Sequence, residues 1–151
     1  MRVCHVCSGH SEDDGRVFHR ECVTLAEAGY EVHLIARSAR HEAHSNRAVS
    51  IHPLPDPKSR QERLARRWSV ARMAASLCPD LYHVHEPELI GPVLAVAGPH
   101  PVIWDVHESY LDVLRTVTGS PNGPDPWSGP LGTSGSASLC VAAPGLLSRP
   151  I

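Results

Sequence analysis

The sequence of 151 residues has no long apolar run, no strong excess of one charge and no regular cysteine spacing. No segment approaches the roughly 18–20 apolar residues that a membrane span requires. The N-terminal segment turns polar at Ser8, too early for a secretion signal. A formal net charge of -2 argues against a general nucleic-acid binder. These absences predict a cytoplasmic, globular chain of one-domain length.

The five cysteines do not indicate a disulfide framework, because their number is odd and their spacing is scattered. Cys4 and Cys7 do form a C-x-x-C pair. In redox proteins such a pair lies where a strand gives way to a helix, whose N-terminus lowers the thiol pKa. Here the pair falls inside an apolar run typical of a strand. We therefore prefer two ordinary buried cysteines over the alternative of a redox pair.

Eleven histidines raise the question of a zinc site. Zinc sites favour clustered ligands, such as C-x-x-C with H-x-x-x-H, or H-E-x-x-H on a helix. His83 and His85 are two residues apart, while His85-Glu86 and His107-Glu108 lack a second histidine four residues on. The spacing therefore predicts no metal site.

Two glycine-rich nucleotide motifs are missing. Neither G-x-G-x-x-G nor G-x-x-x-x-G-K-[ST] occurs, which disfavours a nicotinamide-binding Rossmann domain. Gly9 stands alone after a predicted strand and before a predicted helix, where backbone N–H groups can bind an anion. A turn glycine without a ligand fits the same pattern, and both interpretations stay open.

The sequence does contain alternating apolar strands and helices. The predicted strands are 2–7, 31–36, 49–53, 81–84 and 101–106, and the predicted helices are 16–28, 58–77, 87–97 and a start at 109–117. Such alternation predicts βαβ units and a Rossmann-like parallel sheet flanked by helices, an α/β fold. In these sheets ligands bind at the carboxyl ends of the strands.

The helix predicted at 58–77 carries basic residues on most of its surface. One face is expected to be buried, and its apolar members recur at steps of three and four: Leu64, Trp68, Ala71, Ala75 and Cys78. The basic faces predict either peripheral contact with an anionic membrane or a solvated helix surface.

The composition changes after Val117. Residues 118–151 are rich in Gly, Pro and Ser, which favours an irregular or disordered tail over packed structure. We therefore predict a folded domain at 1–117 followed by a tail at 118–151.

Polar residues follow three of the predicted strands. Gly9 and His10 come after the first, His85-Glu86 after the fourth and His107-Glu108 after the fifth. Histidines in such positions can donate hydrogen bonds or exchange protons, although a bond to nearby backbone is the simpler alternative.

The acidic residues in these segments have simple structural alternatives. Glu88 and Glu108 each fit a helix N-terminus, whose dipole favours a negative charge. Asp14 and Arg16 fit a surface ion pair between a loop and a helix, which contributes little to stability. Neither alternative excludes a role in ligand binding.

Three segments carry a family resemblance. Residues 14–36 contain D-G-R-V-F followed by L-A-E-A-G-Y-E-V-H-L, residues 80–89 read D-L-Y-H-V-H-E-P-E-L, and residues 102–108 read V-I-W-D-V-H-E. In this order they resemble the N-terminal half of family 4 glycosyltransferases. The resemblance covers about residues 2–110.

This resemblance implies a GT-B architecture, in which two Rossmann-like domains face each other across a cleft. The N-terminal domain mainly holds a sugar or lipid-linked acceptor, and the C-terminal domain mainly holds a nucleotide-sugar donor. Transfer retains anomeric configuration and usually needs no metal or other cofactor. His107 matches a histidine that reaches the donor sugar near the reacting carbon. The implied substrate-binding residues are Gly9, His10, Asp14, Arg16, His85, Glu86, Asp105 and Glu108.

The sequence departs from the family pattern after Tyr110, where we find neither a further match nor the E-x7-E donor motif. We therefore expect little or no transferase activity from this chain alone, which fits a truncated gene, a frame change or a genuine short protein. A missing C-terminal domain would complete the enzyme. The alternative is a non-catalytic module that binds an acceptor or a partner.

Overall fold

The computed structural model describes residues 1–106 and the backbone of residues 137–141. The strands are Arg2–Ser11 (β1), Glu31–Arg37 (β2), His44–Asn46 (β3), Val49–Leu54 (β4), Leu81–Val84 (β5), Val102–Val106 (β6) and Ala137–Val141 (β7). The helices are a π-helix at Val17–Cys22, then Val23–Glu27 (α1), Arg60–Ser76 (α2) and Pro87–Ala97 (α3).

The strands form one sheet in the order β3-β4-β2-β1-β5-β6-β7. The five strands from β4 to β6 in this order are parallel, and β3 and β7 pair antiparallel at the two ends. The chain builds outward from β1 first to one side and then to the other, so the switch point lies between β1 and β5. The predicted Rossmann-like α/β fold is confirmed.

The sheet has a hydrophobic cluster on each face, because side chains of a strand alternate in direction. Cys4 packs with α2 and α3 on one face, while Cys7 packs with the π-helix on the other. Burial raises the pKa of Cys4 to about 12 and also raises the pKa of Cys7 well above its ordinary value. The two thiols face opposite sides of the sheet, which confirms two buried cysteines rather than a redox pair.

β1 is longer than the sequence predicts. It continues through the polar residues Ser8, Gly9 and His10 to Ser11, which pairs with Arg37 of β2 after an irregularity. The Arg37 Nε atom donates to the Gly9 carbonyl at 2.7 Å. The backbone stays extended here because side chains from other elements bind its polar groups, a stabilisation that no local pattern reveals.

The predicted helix at 16–28 is a π-helix that continues into α1. The Asp14 carbonyl accepts from the backbone N–H groups of both Phe18 and His19, at 3.1 and 3.3 Å, which widens the first turn. Gly29 follows α1 with a φ of +88°, a conformation that favours glycine. Gly29 therefore ends the helix as predicted.

β3 is a strand that was not predicted, and it forms a tight hairpin with β4. Asn46 pairs with Val49, and the two residues between them, Arg47 and Ala48, have φ values of 48° and 62°. Two positive φ angles define a type I′ turn, which usually contains Asn-Gly. The hairpin was missed because neither turn residue is a glycine.

The buried face of α2 differs from the predicted one. Val70, Ala71 and Ala74 are buried against α3 and the sheet, whereas Trp68 is 43% exposed and Cys78 lies on the surface. Ala71 is buried as predicted, and the small alanine side chains let α2 pack closely on its neighbours, a contact that turns Val70 and Ala74 inward and leaves Trp68 exposed. The prediction was therefore wrong for Trp68 and Cys78. Across the parts of the chain with assigned structure, no helix is suited to crossing a bilayer.

β7 is the second strand that was not predicted, and it falls inside the range 118–151 expected to be irregular. Its backbone pairs with β6, from Ala137 opposite Val106 to Val141 opposite Val102. The edge of β6 offers backbone donors and acceptors that a further strand can satisfy. The helix start expected at 109–117 lies outside the described residues, as does the rest of 118–151.

Candidate functional site

Polar side chains converge at the carboxyl ends of β1, β5 and β6, next to the switch point of the sheet. They come from β1 itself, the turn before the π-helix, the residues preceding α3, and β6. The sequence-predicted members of this group within the described residues are Gly9, His10, Asp14, Arg16, His85, Glu86 and Asp105. His107 and Glu108 lie outside the described residues, and their roles stay predictions.

The Glu86 carboxylate binds the end of β1. Its Oε2 atom accepts from the Ser8 backbone N–H at 2.9 Å, and its Oε1 atom accepts from the Gly9 backbone N–H at 2.7 Å. A Cβ atom on Gly9 would lie 2.9 Å from Glu86 Oε1 and 3.1 Å from Arg63 Nη1. Glycine is therefore required here by close approach of side chains, and the N–H predicted to bind an anion already binds Glu86.

Arg63 of α2 stabilises this arrangement, although the sequence analysis did not single it out. Its Nε atom lies 2.9 Å from Glu88 Oε1, and the same oxygen accepts from Ser8 Oγ at 3.1 Å. Glu88 lies in the first turn of α3, as predicted, and this ion pair adds a specific partner to the helix dipole. No local signal connects Arg63 with Glu88, since they are far apart in the sequence.

Asp14 organises the turn before the π-helix. Its Oδ1 atom accepts from the backbone N–H groups of Arg16 and Val17 at 2.9 and 2.8 Å, and its Oδ2 atom lies 3.2 Å from His10 Nδ1. Burial acts to raise the pKa of Asp14, but the Val17 and Arg16 N–H groups and the His10 ring outweigh it, so the pKa is lowered. Asp14 thus stays ionised and positions the His10 ring.

Arg16 pairs with Asp105 of β6 rather than with the Asp14 carboxylate, which binds only its backbone. The Arg16 Nη2 atom donates to Asp105 Oδ2 at 2.5 Å, and Arg16 Nε lies 3.2 Å from Glu21 Oε1. Burial opposes the charge of Asp105, but hydrogen bonds from His85 and Arg16 lower its pKa well below the ordinary value. The expected loop-to-helix ion pair is therefore a link between the π-helix and the sheet.

His85 lies beneath this surface and is fully buried. Its Nδ1 atom lies 3.4 Å from Asp105 Oδ2, and its Nε2 atom lies 3.1 Å from His5 Nδ1. In this conformation His85 therefore contacts other protein groups, and a direct contact with a substrate requires the residues above it to move.

The sequence analysis also missed a cluster of three histidines and one carboxylate under the site, formed by His5, His83, His85 and Glu21. Its ring centroids are 4.6–5.4 Å apart. Burial and the neighbouring imidazoles lower the pKa of His5 well below its ordinary value and that of His83 to about 4. His5 pairs with His83 across β1 and β5. The only sequence signal for the cluster was the two-residue spacing of His83 and His85, which places both side chains on the same face of the sheet.

Comparison with known proteins identifies the family. The family model for Glycosyltransferase Family 4 matches residues 15–138, which is more than half of the chain. The chain belongs to glycosyltransferase family 4. No curated protein and no solved structure matches it.

The match to the family 4 domain includes four of the described site residues, Arg16, His85, Glu86 and Asp105. It also extends beyond Tyr110, where the resemblance seen in the sequence was expected to end. The polar edge of the sheet is thus largely part of the matched region of this glycosyltransferase family 4 chain.

Proposed function

We propose that this domain is the acceptor-side half of a glycosyltransferase that transfers a sugar from a nucleotide-sugar donor with retention of anomeric configuration. Membership of family 4 is the observation that carries the proposal. The polar side chains at the switch point between β1 and β5 support it, since ligands of open α/β sheets bind at this edge. The donor is a substrate here, and no resident cofactor is part of the proposal.

His10 and Arg16 are two donor side chains of the site that can reach a ligand without rearrangement, because 23% and 32% of their surfaces are exposed. Both can donate hydrogen bonds to phosphate or sugar oxygens. Asp14 holds the His10 ring and Asp105 holds the Arg16 guanidinium, so these donors are oriented before a ligand arrives. Such preorganisation favours binding of charge that develops during transfer.

The chemistry needs stabilising groups on both sides of the bond that breaks. When the sugar leaves its diphosphate, negative charge develops on the phosphate and positive charge on the anomeric carbon, and fixed dipoles stabilise both. By resemblance we assign His107 to the donor sugar near the reacting carbon, and Glu108 and Gly9 to substrate binding. His85 and Glu86 then act by holding β1, β5 and β6 in position.

We also propose that the 151-residue chain by itself binds an acceptor but transfers no sugar. In a GT-B transferase the nucleotide is held by a second Rossmann-like domain, and the chemistry takes place between the two. The edge described above provides donors for one side of such a cleft. A donor-binding domain in the same or a separate chain completes the site.

Acceptor binding by the purified chain tests this proposal. On an array of glycans, glycolipids and lipid-linked phosphosugars we expect binding to one acceptor class, and no nucleotide release from UDP- or GDP-hexoses. Arg16→Gln should weaken that binding by about tenfold, equivalent to about 1.4 kcal/mol. The matched control is Arg40→Gln, which changes an exposed arginine outside the site and should bind like wild type. Equal loss in both variants, or no acceptor binding at all, contradicts the assignment.

The alternative of a non-catalytic binding module has its own discriminator. If this chain is an enzyme half, a separately expressed E-x7-E domain should restore donor binding and sugar transfer when the two are mixed. If the mixture stays inactive while the acceptor still binds, the domain is a binding module.

A peripheral membrane contact is a second proposal, and the surface of α2 supports it. Trp68 and Met73 are 43% and 36% exposed, and Arg67 and Arg72 are exposed on the same helix. Exposed apolar side chains beside cations are typical of helices that lie on anionic lipid, which fits a cytoplasmic enzyme with a lipid-linked acceptor. Flotation with anionic but not neutral liposomes, reduced by Trp68→Ser, is the expected result. Equal flotation with both lipid types contradicts the contact.

A further inference from the structure

The cluster of His5, Glu21, His83 and His85 lies under the proposed acceptor site, and neither the family assignment nor the proposed transfer reaction uses it as a metal site. We propose that these four residues bind one divalent transition-metal ion, with Zn²⁺ as the ion that fits best. Imidazole nitrogens and one carboxylate oxygen are a donor set that suits zinc.

The donor atoms converge on one point. All four lie within 4.8 Å of one another. His5 Nδ1 is 3.1 Å from His85 Nε2, and Glu21 Oε2 is 3.8–3.9 Å from the facing nitrogens of all three histidines. In a tetrahedral site with metal–ligand bonds of about 2.0–2.1 Å, ligand atoms are roughly 3.3 Å apart. The observed separations run from 3.1 Å to at most 4.8 Å, so a change of up to about 1.5 Å in the widest of them completes the site.

The fold supplies these four residues from two layers. His5 and His83 are register partners on adjacent parallel strands, and His85 follows on the same face two residues later. Glu21 comes from the π-helix that covers this face. Since sheet and helix are both packed by hydrophobic clusters, the donor atoms are held in place before any ion binds.

Glu21 supplies the carboxylate of the cluster. Its two oxygens have separate partners: Oε1 faces Arg16 Nε at 3.2 Å, and Oε2 faces the histidines.

Residues around the cluster orient its members. Asp105 lies 3.4 Å from His85 Nδ1 and is held by Arg16, so His85 directs its Nδ1–H towards Asp105 and its Nε2 lone pair into the cluster. A carboxylate behind a histidine is the arrangement that positions imidazoles in metal sites. His83 and Glu21 are 16% and 21% exposed, which gives an ion a path to the buried His5 and His85.

A second histidine pair shows why this cluster differs from ordinary hydrogen bonding. His33 Nδ1 lies 2.9 Å from His52 Nε2, almost the same contact as between His5 and His85. The carboxylate there, Glu31, approaches the opposite ring nitrogen of His33 at 3.2 Å. Its donor atoms therefore diverge, and this pair provides a matched control within the same chain.

Metal titration of the purified full chain, stripped with a chelator, tests the proposal. We expect one equivalent of Zn²⁺ by calorimetry, a rise in melting temperature, and the strong visible bands of tetrahedral Co²⁺ when cobalt replaces zinc. Glu21→Gln and His83→Gln should each weaken binding by more than about 100-fold, and Asp105→Asn by about 10–100-fold. His52→Gln, the control, should leave binding unchanged.

Three results overturn the proposal. One is the absence of stoichiometric binding. Another is the weak octahedral spectrum of solvated Co²⁺, which decides the question in the wild-type chain even if a variant fails to fold. The third is binding that survives Glu21→Gln and His83→Gln but disappears on Cys78→Ser, which would assign the ion to the exposed thiol instead. Circular dichroism of each variant verifies that its fold is retained.

Discussion

The two faces of β1 and β5 differ in chemistry although they share the same backbone. On one face Val6 and Val84 pack with α2 and α3 in a purely hydrophobic cluster. On the other face His5 and His83 lie under the π-helix, next to polar groups of the candidate site. Because successive side chains of a strand point to opposite faces, neighbouring residues serve different purposes: one stabilises the hydrophobic core and the next is available for chemistry.

The largest effect is expected on the hydrophobic face. Leu89 of α3 is fully buried there, and Leu89→Ala leaves a cavity that relaxation only partly fills. We expect the free energy of unfolding to fall by about 2–5 kcal/mol. Urea denaturation gives this value directly. Met73→Ala on the exposed side of α2 is the control and should change it by less than about 0.5 kcal/mol. If Leu89→Ala lowers the free energy of unfolding as little as Met73→Ala does, Leu89 is not part of the packed core.

A smaller effect is expected where the polar face meets the end of β1. In Gly9→Ala the new methyl group lies too close to Glu86 Oε1, so the carboxylate must withdraw from the Ser8 and Gly9 N–H groups. Leaving buried polar groups without partners costs about 1–3 kcal/mol. Gly91→Ala is the matched control, because its added Cβ meets nothing within 4 Å inside α3 and should stabilise the helix. If both substitutions stabilise the protein, Glu86 does not hold β1.

The third prediction concerns Asp14, an ionised group of the polar face with two backbone partners. Asp14→Ala removes the oxygen that accepts from the Arg16 and Val17 N–H groups at the start of the π-helix and should cost about 1 kcal/mol, whereas Asp14→Asn keeps an accepting oxygen and should cost less. Because the folded pKa of Asp14 is lowered, its charge contributes stability above the unfolded pKa of about 3.9 and loses that contribution as pH falls below it.

Unfolding experiments between about pH 3 and pH 7 separate the effect of the Asp14 charge from the effect of its hydrogen bonds to the backbone. Wild type should lose more stability towards low pH than Asp14→Asn does. Parallel pH curves for the two proteins would show that the Asp14 charge has no influence on folding.

The smallest effect is expected far from both faces, in the β3–β4 turn. Ala48 has a φ of 62°, which strains any residue with a Cβ atom. Ala48→Gly should therefore raise the free energy of unfolding by up to about 1 kcal/mol, measured by urea denaturation. Ala65→Gly, at an exposed position inside α2, should lower it by a similar amount. A lower free energy of unfolding for both variants would refute the type I′ turn.

Much of the fold was accessible from the sequence because its signals are local. The strand at 81–84 and the helix at 87–97 have the predicted bounds, since a short apolar run and Pro87 at a helix start are visible within a few residues. The β3–β4 hairpin was missed because its turn contains Arg47 and Ala48, which rarely adopt positive φ. The buried face of α2 was predicted wrongly because the contact with α3, which is not visible in the local sequence, determines which side of the helix is buried.

The candidate site was predictable only in part. His10, Asp14, His85 and Glu86 were found because each follows or precedes an element at the expected edge of the sheet. Contacts between distant segments were not predicted, since nothing near Arg63, Glu21 or His5 in the sequence indicates a partner 16 to 80 residues away. Such pairs are created by the strand order and by the helix that covers each face.

Because Glu86 already accepts from the Ser8 and Gly9 N–H groups, it competes with any external anion for these same donors. A phosphate that binds there must first displace a tethered negative charge, so its apparent affinity is reduced by the fraction of time that Glu86 is bound. A free inorganic anion lacks the additional contacts needed to displace Glu86, whereas a larger ligand that also contacts His10 and Arg16 has them. Under the proposed function, the edge of the sheet would therefore select ligands by size as well as by charge.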